Sequence, residues 1–173
     1  YVFFQTLVLD QKGNTILLTR APDLRQAQNT SNIEDIRIWV DKDNSNPTND
    51  LKLILNELNL KGKKIGVEYE TYGLTGRNAL RLNKSLENYC LIEDTSELIT
   101  KIRVVKSKEE IVYVKKAAEL ADSALNEVWK YAKAGASESK ILAEMNRVIF
   151  EGGGDYPANE FIIGSGRNAL LCR

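Results

Sequence analysis

Between Ile36 and Ile92 the hydrophobic period changes four times, and few folds accommodate that pattern. Ile36-Arg37-Ile38-Trp39-Val40 alternates as a strand does, after which Leu51, Ile54, Leu55 and Leu58 recur at helical spacing. Lys64-Ile65-Gly66-Val67-Glu68 reads as a strand again, Leu74 to Leu86 as a helix, and Tyr89-Cys90-Leu91-Ile92 as a further strand. Strand, helix, strand, helix, strand is the order of crossover connections, so the pattern predicts an α/β layer with parallel pairing. Ahead of it, the β-rich runs Tyr1 to Leu9 and Thr15 to Thr19 flank Asp10-Gln11-Lys12-Gly13-Asn14, which predicts an antiparallel hairpin. The polar stretch Asp41 to Asp50 reads as a loop, and Gly62 as the glycine that follows the first helix.

The character of the chain changes near Arg103. Asp94 with Glu97, and Ser107 with Glu110, have the spacing of capping boxes that open helices. From Ile111 the apolar residues Val114, Ala118, Ala121, Leu125, Val128 and Ala132 step by three and four, which predicts one long packed helix. Gly135 ends it and Ser137 can cap the next. Ile141, Leu142, Met145, Val148 and Ile149 form that second stripe, stopped by Gly152-Gly153-Gly154. Two consecutive helices after an α/β unit predict a domain boundary near 100 to 106, with residues 1–103 as one domain and 104–173 as the beginning of another.

Composition then narrows the function classes. The 173 residues carry 24 Lys+Arg against 24 Asp+Glu with the signs interspersed, so no basic stripe for nucleic acid is present, and no apolar run is long enough for a membrane span. The expected chain is soluble and globular. His is absent from the sequence, which removes Ser-His-Asp and Cys-His catalysis, His-ligated zinc and HExxH chemistry from this stretch. Cys90 and Cys172 form neither a disulfide framework nor a CxxC site, so a reducing, cytoplasmic compartment is expected. The start lacks an initiator Met and a basic leader, and the end stops inside Asn168-Ala169-Leu170-Leu171-Cys172-Arg173; both read as a fragment of a longer polypeptide.

Individual motifs weigh less than this pattern. Gly152-Gly153-Gly154-Asp155-Tyr156-Pro157 follows a helix and lacks the Gly-Lys-Ser/Thr ending of a phosphate loop, so a helix stop is the better reading. Gly164-Ser165-Gly166 lacks the spacing and the His of a nucleophile elbow. It reads instead as a glycine turn after a short strand, Phe161 to Ile163, that presents residues 168–173 to a cleft. Glu93, Asp94, Glu97, Glu109 and Glu110 lie at or near helix starts, where capping and the macrodipole account for acidic residues. Tyr69, Tyr72, Arg77 and Arg81 could line a pocket beside Gly73 and Gly76, but a loop and a solvated helix face are the better reading.

Four segments in order carry a family resemblance. Arg103-Val104-Val105-Lys106-Ser107-Lys108-Glu109-Glu110-Ile111 has the form R-x-x-K-s-x-x-E-I; Ala117-Ala118-Glu119-Leu120-Ala121-Asp122 follows; Gly135-Ala136-Ser137-Glu138 has the form G-x-[ST]-E; and Phe161-Ile162-Ile163-Gly164-Ser165-Gly166-Arg167-Asn168-Ala169 closes the set. Together they resemble the creatinase/prolidase family, the pita-bread, Xaa-Pro peptidase-like metallohydrolases. The resemblance implies a ribonuclease-H-like N-terminal α/β domain followed by the first helices of a pita-bread α+β domain.

It also implies chemistry. Enzymes of this family hold divalent ions (Mn, Fe, Zn or Co) with two Asp, a His and two Glu, all of which would come later than Arg173, so no catalytic residue and no metal ligand is expected here. Substrate contacts are expected from Phe161, Asn168 and Arg173. Peptidases of the family usually carry a His where Arg173 falls, and a guanidinium is a permanent, forked cation suited to a carboxylate instead. The expected function is that of a hydrolase acting on a C–N bond of a small carboxylated substrate or dipeptide, in a homodimer. The alternatives are a lyase of the same superfamily that resembles dimethylsulfoniopropionate lyases, and a non-catalytic binding or dimerisation module.

Overall fold

The computed structural model describes residues 4–171, which divide into two compact units with the boundary between Val104 and Val105. No helix among the described residues is long and apolar enough to cross a membrane.

The first unit is mixed α/β. Strands β1 (Thr6–Leu9) and β2 (Thr15–Arg20) pair antiparallel with Thr6 opposite Leu18, and β3 (Asp35–Trp39) pairs parallel to β2 with Ile16 opposite Asp35. The hairpin turn is built by Asp10, whose Oδ1 accepts the amides of Lys12 and Asn14 at 2.8 and 2.9 Å while Gly13 takes φ +87°. A second, two-stranded sheet holds β4 (Lys64–Val67) and β5 (Leu91–Asp94) in parallel, with Lys64 opposite Leu91. The parallel pairing read from the sequence is present, but the strands form two sheets and not one ladder.

Helices α1 (Leu24–Thr30), α2 (Pro47–Glu57) and α3 (Gly76–Leu86) connect these strands, and α4 (Leu98–Val104) follows them. The core joins Phe4, Ile16, Leu18 and Trp39 to Leu51, Ile54 and Leu55 of α2, to Leu82 and Leu86 of α3, and to Tyr89. Each fully buried leucine contributes about 1.5–3 kcal/mol relative to an exposed one. Polar atoms inside are mostly satisfied: the Trp39 indole N–H donates to the Phe4 carbonyl at 2.9 Å, and Lys52 Nζ donates to the Ser85 carbonyl at 2.8 Å, tying α2 to α3.

Several local expectations need correction. The stretch 41–50 is not all loop: Asn46 accepts from the Thr48 amide and Pro47 occupies the first turn, so α2 begins inside it. The left-handed residue after α2 is Asn59, at φ +56°, and Gly62 belongs to a later turn. The second helix begins at Gly76 with Thr75 as its cap, two residues beyond Leu74. Tyr89 and Cys90 are turn residues, both amides directed at the Leu86 carbonyl, and the strand starts at Leu91. Asp94 is therefore a strand end and not a helix cap; its carboxylate accepts from the amide and hydroxyl of Ser96.

The second unit contains α5 (Lys108–Tyr131) and α6 (Glu138–Glu151), packed against each other, with Ala124, Glu127, Ile141 and Ile149 buried. The capping box at Ser107 is complete: its hydroxyl accepts the Glu110 amide at 3.1 Å and Glu110 Oε2 accepts the Ser107 amide at 2.7 Å. Such a cap contributes about 1 kcal/mol.

Candidate substrate-binding segment

Residues 152–171 of the second unit carry the sequence-derived site. Glycine at 152 and 154 has a steric cause: a Cβ at Gly152 would lie 2.2 Å from Leu120 Cδ2, and one at Gly154 would lie 2.9 Å from the Ile149 carbonyl oxygen. The run ends α6 against α5, with Gly153 at φ +80°, in agreement with a helix stop. Beyond it the Tyr156 ring packs edge-on against Phe150 with centroids 5.0 Å apart.

Phe161 to Ile163 is not a strand. No strand partner for it exists among the described residues, and three apolar residues in a row do not form a ladder by themselves. Phe161 and Ile163 are half-buried while Ile162 is exposed. A short 3-10 turn, Gly166–Leu170, follows. Its start is fixed by the bond from the Asn168 amide to the Ser165 carbonyl at 3.0 Å and by Gly166 at φ +54°. Gly164 faces the backbone of the same turn so closely that a Cβ would lie 2.8 Å from the Asn168 carbonyl oxygen.

The segment is anchored by Glu138. Its Oε1 accepts the Ser165 amide at 2.8 Å and also the Ser165 hydroxyl, across 27 residues. Sequence reasoning marked Glu138 within the G-x-[ST]-E motif but gave it no partner; a first-turn carboxylate ordinarily serves its own helix, and only the fold shows it reaching the later loop. Ser137 makes no side-chain cap bond to α6.

Of the three expected substrate contacts, Asn168 is exposed on the 3-10 turn and Phe161 is half-buried seven residues earlier in the same segment. Arg173 lies outside the described residues, as does Cys172. Of Tyr69, Tyr72, Arg77 and Arg81, the Tyr69 hydroxyl is directed at Asn83 Oδ1, Tyr72 stands fully in solvent, and none of the four lines the cavity bordered by Thr6–Leu9 and Lys64–Val67.

These residues do not compose a metal centre. Among the described residues no three carboxylates or thiols converge on a common point. One oxygen each of Asp94 and Glu138 accepts from Ser96 and Ser165, and burial pushes the Cys90 thiol up, away from the thiolate a metal needs.

Comparison with known proteins places the chain. Residues 1–105 match the Creatinase/Prolidase N-terminal domain and residues 112–173 match Metallopeptidase family M24. The Xaa-Pro dipeptidase of Pyrococcus furiosus is 27% identical over 105 residues, covering 59% of this chain and 30% of that protein. The ectoine hydrolase of Halomonas elongata is 26% identical over 114 residues, covering 61% and 28%. The crystal structure of the X-Pro aminopeptidase from Thermotoga maritima superposes with a TM-score of 0.70 at 21% identity, over 87% of this chain and 38% of that one. The match thus spans about a third of the length of these relatives, and the fold is that of the pita-bread prolidases and X-Pro aminopeptidases. With one family model on each side of the junction and in the order the four motifs run, the chain belongs to the creatinase/prolidase family of metallopeptidase-like hydrolases.

Proposed function

We propose that the full-length protein is a metal-dependent hydrolase that cleaves a C–N bond in a small carboxylated substrate, a dipeptide included. The observation that carries this reading is the tandem match of an N-terminal creatinase/prolidase domain and an M24 metallopeptidase domain in one chain. Relatives named as Xaa-Pro dipeptidase and ectoine hydrolase support hydrolysis as the reaction class, and the lyase alternative is not favoured. Divalent ions would polarise the scissile carbonyl and lower the pKa of a water, and their ligands belong to parts of the full-length enzyme other than residues 4–171.

The residues of this chain bind and orient. Arg173 offers a guanidinium fork to a substrate carboxylate, Asn168 supplies an amide at the same loop, and Phe161 supplies an apolar surface. Glu138 acts as a positioning residue by fixing the loop through Ser165. A homodimer in a cytoplasmic compartment completes the proposal.

The test is hydrolysis by the purified full-length protein loaded in turn with Mn, Fe, Zn and Co, offered Xaa-Pro dipeptides and carboxylated N-acyl amines. Metal-dependent release of amine from either class is the expected result. Absence of turnover with every metal and both classes, in protein shown to bind the ion, would overturn it.

A further inference from the structure

Helix α3 turns one side to the core and a basic side to solvent. Leu82 and Leu86 are buried, whereas Arg77 and Lys84 are exposed, Arg81 is half-buried and Leu80 is 73% exposed. At 3.6 residues per turn these last four fall on one face about 100° wide, in a stripe that runs about 10 Å along the helix axis.

This stripe lacks counterions. Residues 76–86 contain no Asp or Glu, and among the described residues no carboxylate lies within ion-pairing distance of Arg77, Arg81 or Lys84. Helix α6 shows the usual arrangement, with Arg147 held between Glu144 and Glu151 of its own helix. Arg77 also stands in the first turn of α3, where the macrodipole disfavours a cation and no acidic residue offsets it. Cations placed this way do not stabilise the helix; with an exposed leucine among them, they complement an anionic ligand that carries an apolar side chain.

We propose that the outward face of α3 docks an acidic segment of a partner protein, in which Asp or Glu side chains flank one aliphatic or aromatic residue. The carboxylates pair with the guanidinium forks of Arg77 and Arg81 and with the Lys84 ammonium, and the apolar residue covers Leu80. A nucleic-acid backbone fits less well, because it is ordinarily met by a broader basic surface than a single stripe with an apolar centre. The surface belongs to the first unit, and its role is independent of the hydrolase reading.

Fluorescence anisotropy with the full-length protein and a labelled Asp-Glu-Leu-Leu-Glu-Asp peptide tests it. Saturable binding is expected, weakened about tenfold by the double change Arg77→Ala and Arg81→Ala, in a variant whose urea midpoint stays at the wild-type value. Leu80→Ser should weaken it as well. Absence of binding, or equal binding of a peptide in which both leucines are replaced by serine, would overturn the proposal. Tighter binding of a single-stranded RNA of the same charge, lost in the same variants, would assign the face to nucleic acid and overturn it too. Resistance of Lys84 to acylation in the free full-length protein would show the face already covered by the protein itself, with the same consequence.

Discussion

Glu138, the first residue of α6, is bonded through one carboxylate oxygen to both the amide and the hydroxyl of Ser165, so the start of a helix and a loop 27 residues later share one anchor. Charge-assisted bonds contribute about 1.5–3 kcal/mol, and less where solvent competes. Glu138→Ala is expected to raise the exchange rate of the Ser165 and Asn168 amides while leaving the amides of α5 unchanged. In the full-length enzyme KM should rise more than kcat falls. Glu138→Gln retains an acceptor oxygen and should recover part of both effects; equal behaviour of the two variants would remove the anchor role.

Tyr89 carries the one buried side-chain polar atom without a partner among the described residues, its hydroxyl, although Lys52 Nζ lies 5.1 Å from its ring centroid. Removing an unpaired buried hydroxyl relieves its desolvation, so Tyr89→Phe should leave stability unchanged or raise it by up to about 1 kcal/mol. Leu86→Ala, at a side chain 1% exposed, should cost about 2–5 kcal/mol. Urea denaturation of both variants checks the pair, and a loss of stability in Tyr89→Phe would mean that the hydroxyl has a partner in solution.

The Asp94 carboxyl is held below its ordinary value by the Ser96 hydroxyl and, next, the Ser96 amide. Because the folded value is depressed, its stabilising contribution is present above the unfolded carboxyl pKa and is lost as pH falls through the folded one. Ser96 also accepts the Tyr69 amide at 2.8 Å, so the same hydroxyl ties the chain after β4 to the chain after β5. Ser96→Ala should move the Asp94 pKa up toward the usual aspartate range and flatten the acid limb of the stability profile. Carboxyl NMR titration of the variant measures the shift directly.

Arg173 carries the specificity proposal. A forked pair with a substrate carboxylate should make Arg173→Lys and Arg173→Ala lower kcat/KM by about ten- to a hundredfold in the full-length enzyme, with Lys the milder. Arg173→His should not by itself create a good Xaa-Pro peptidase, since the rest of the pocket is unchanged. Unchanged kcat/KM in both Arg173→Lys and Arg173→Ala would take this side chain out of the substrate contact.

Strong periodicity made most of the fold readable. The stripes of α2, α3, α5 and α6 and the alternation of β3 and β4 each extend over enough apolar positions to distinguish 3.6 from 2. Helix α1 was missed because its seven residues offer Leu24 and Ala27 as the only apolar side chains, and only Ala27 is buried; its start depends on the 3-10 turn Ala21–Asp23 with Pro22. The strand read at 161–163 failed for the converse reason, apolar content without a pairing edge. Asp94 with Glu97 matched a capping box by spacing, but a strand ladder with β4 held Asp94 first. In the candidate site, the glycines and Glu138 were visible as residue types, whereas their contacts join positions far apart in sequence that no local window contains.

Gly164, Ser165 and Gly166 are each restricted by a different cause: lack of room beside the Asn168 carbonyl, a shared carboxylate, and a left-handed backbone. Every substitution at Gly164 adds a Cβ, every one at Gly166 meets an unfavourable φ, and most at Ser165 remove a donor. In a saturation scan the tripeptide should therefore behave as one largely intolerant unit, with Ser165→Thr, which keeps the hydroxyl, as the exception. The loop can then diversify only on its flanks, at positions such as Ile162 and Arg167, which makes those the places where the surface it presents can change without dismantling the turn.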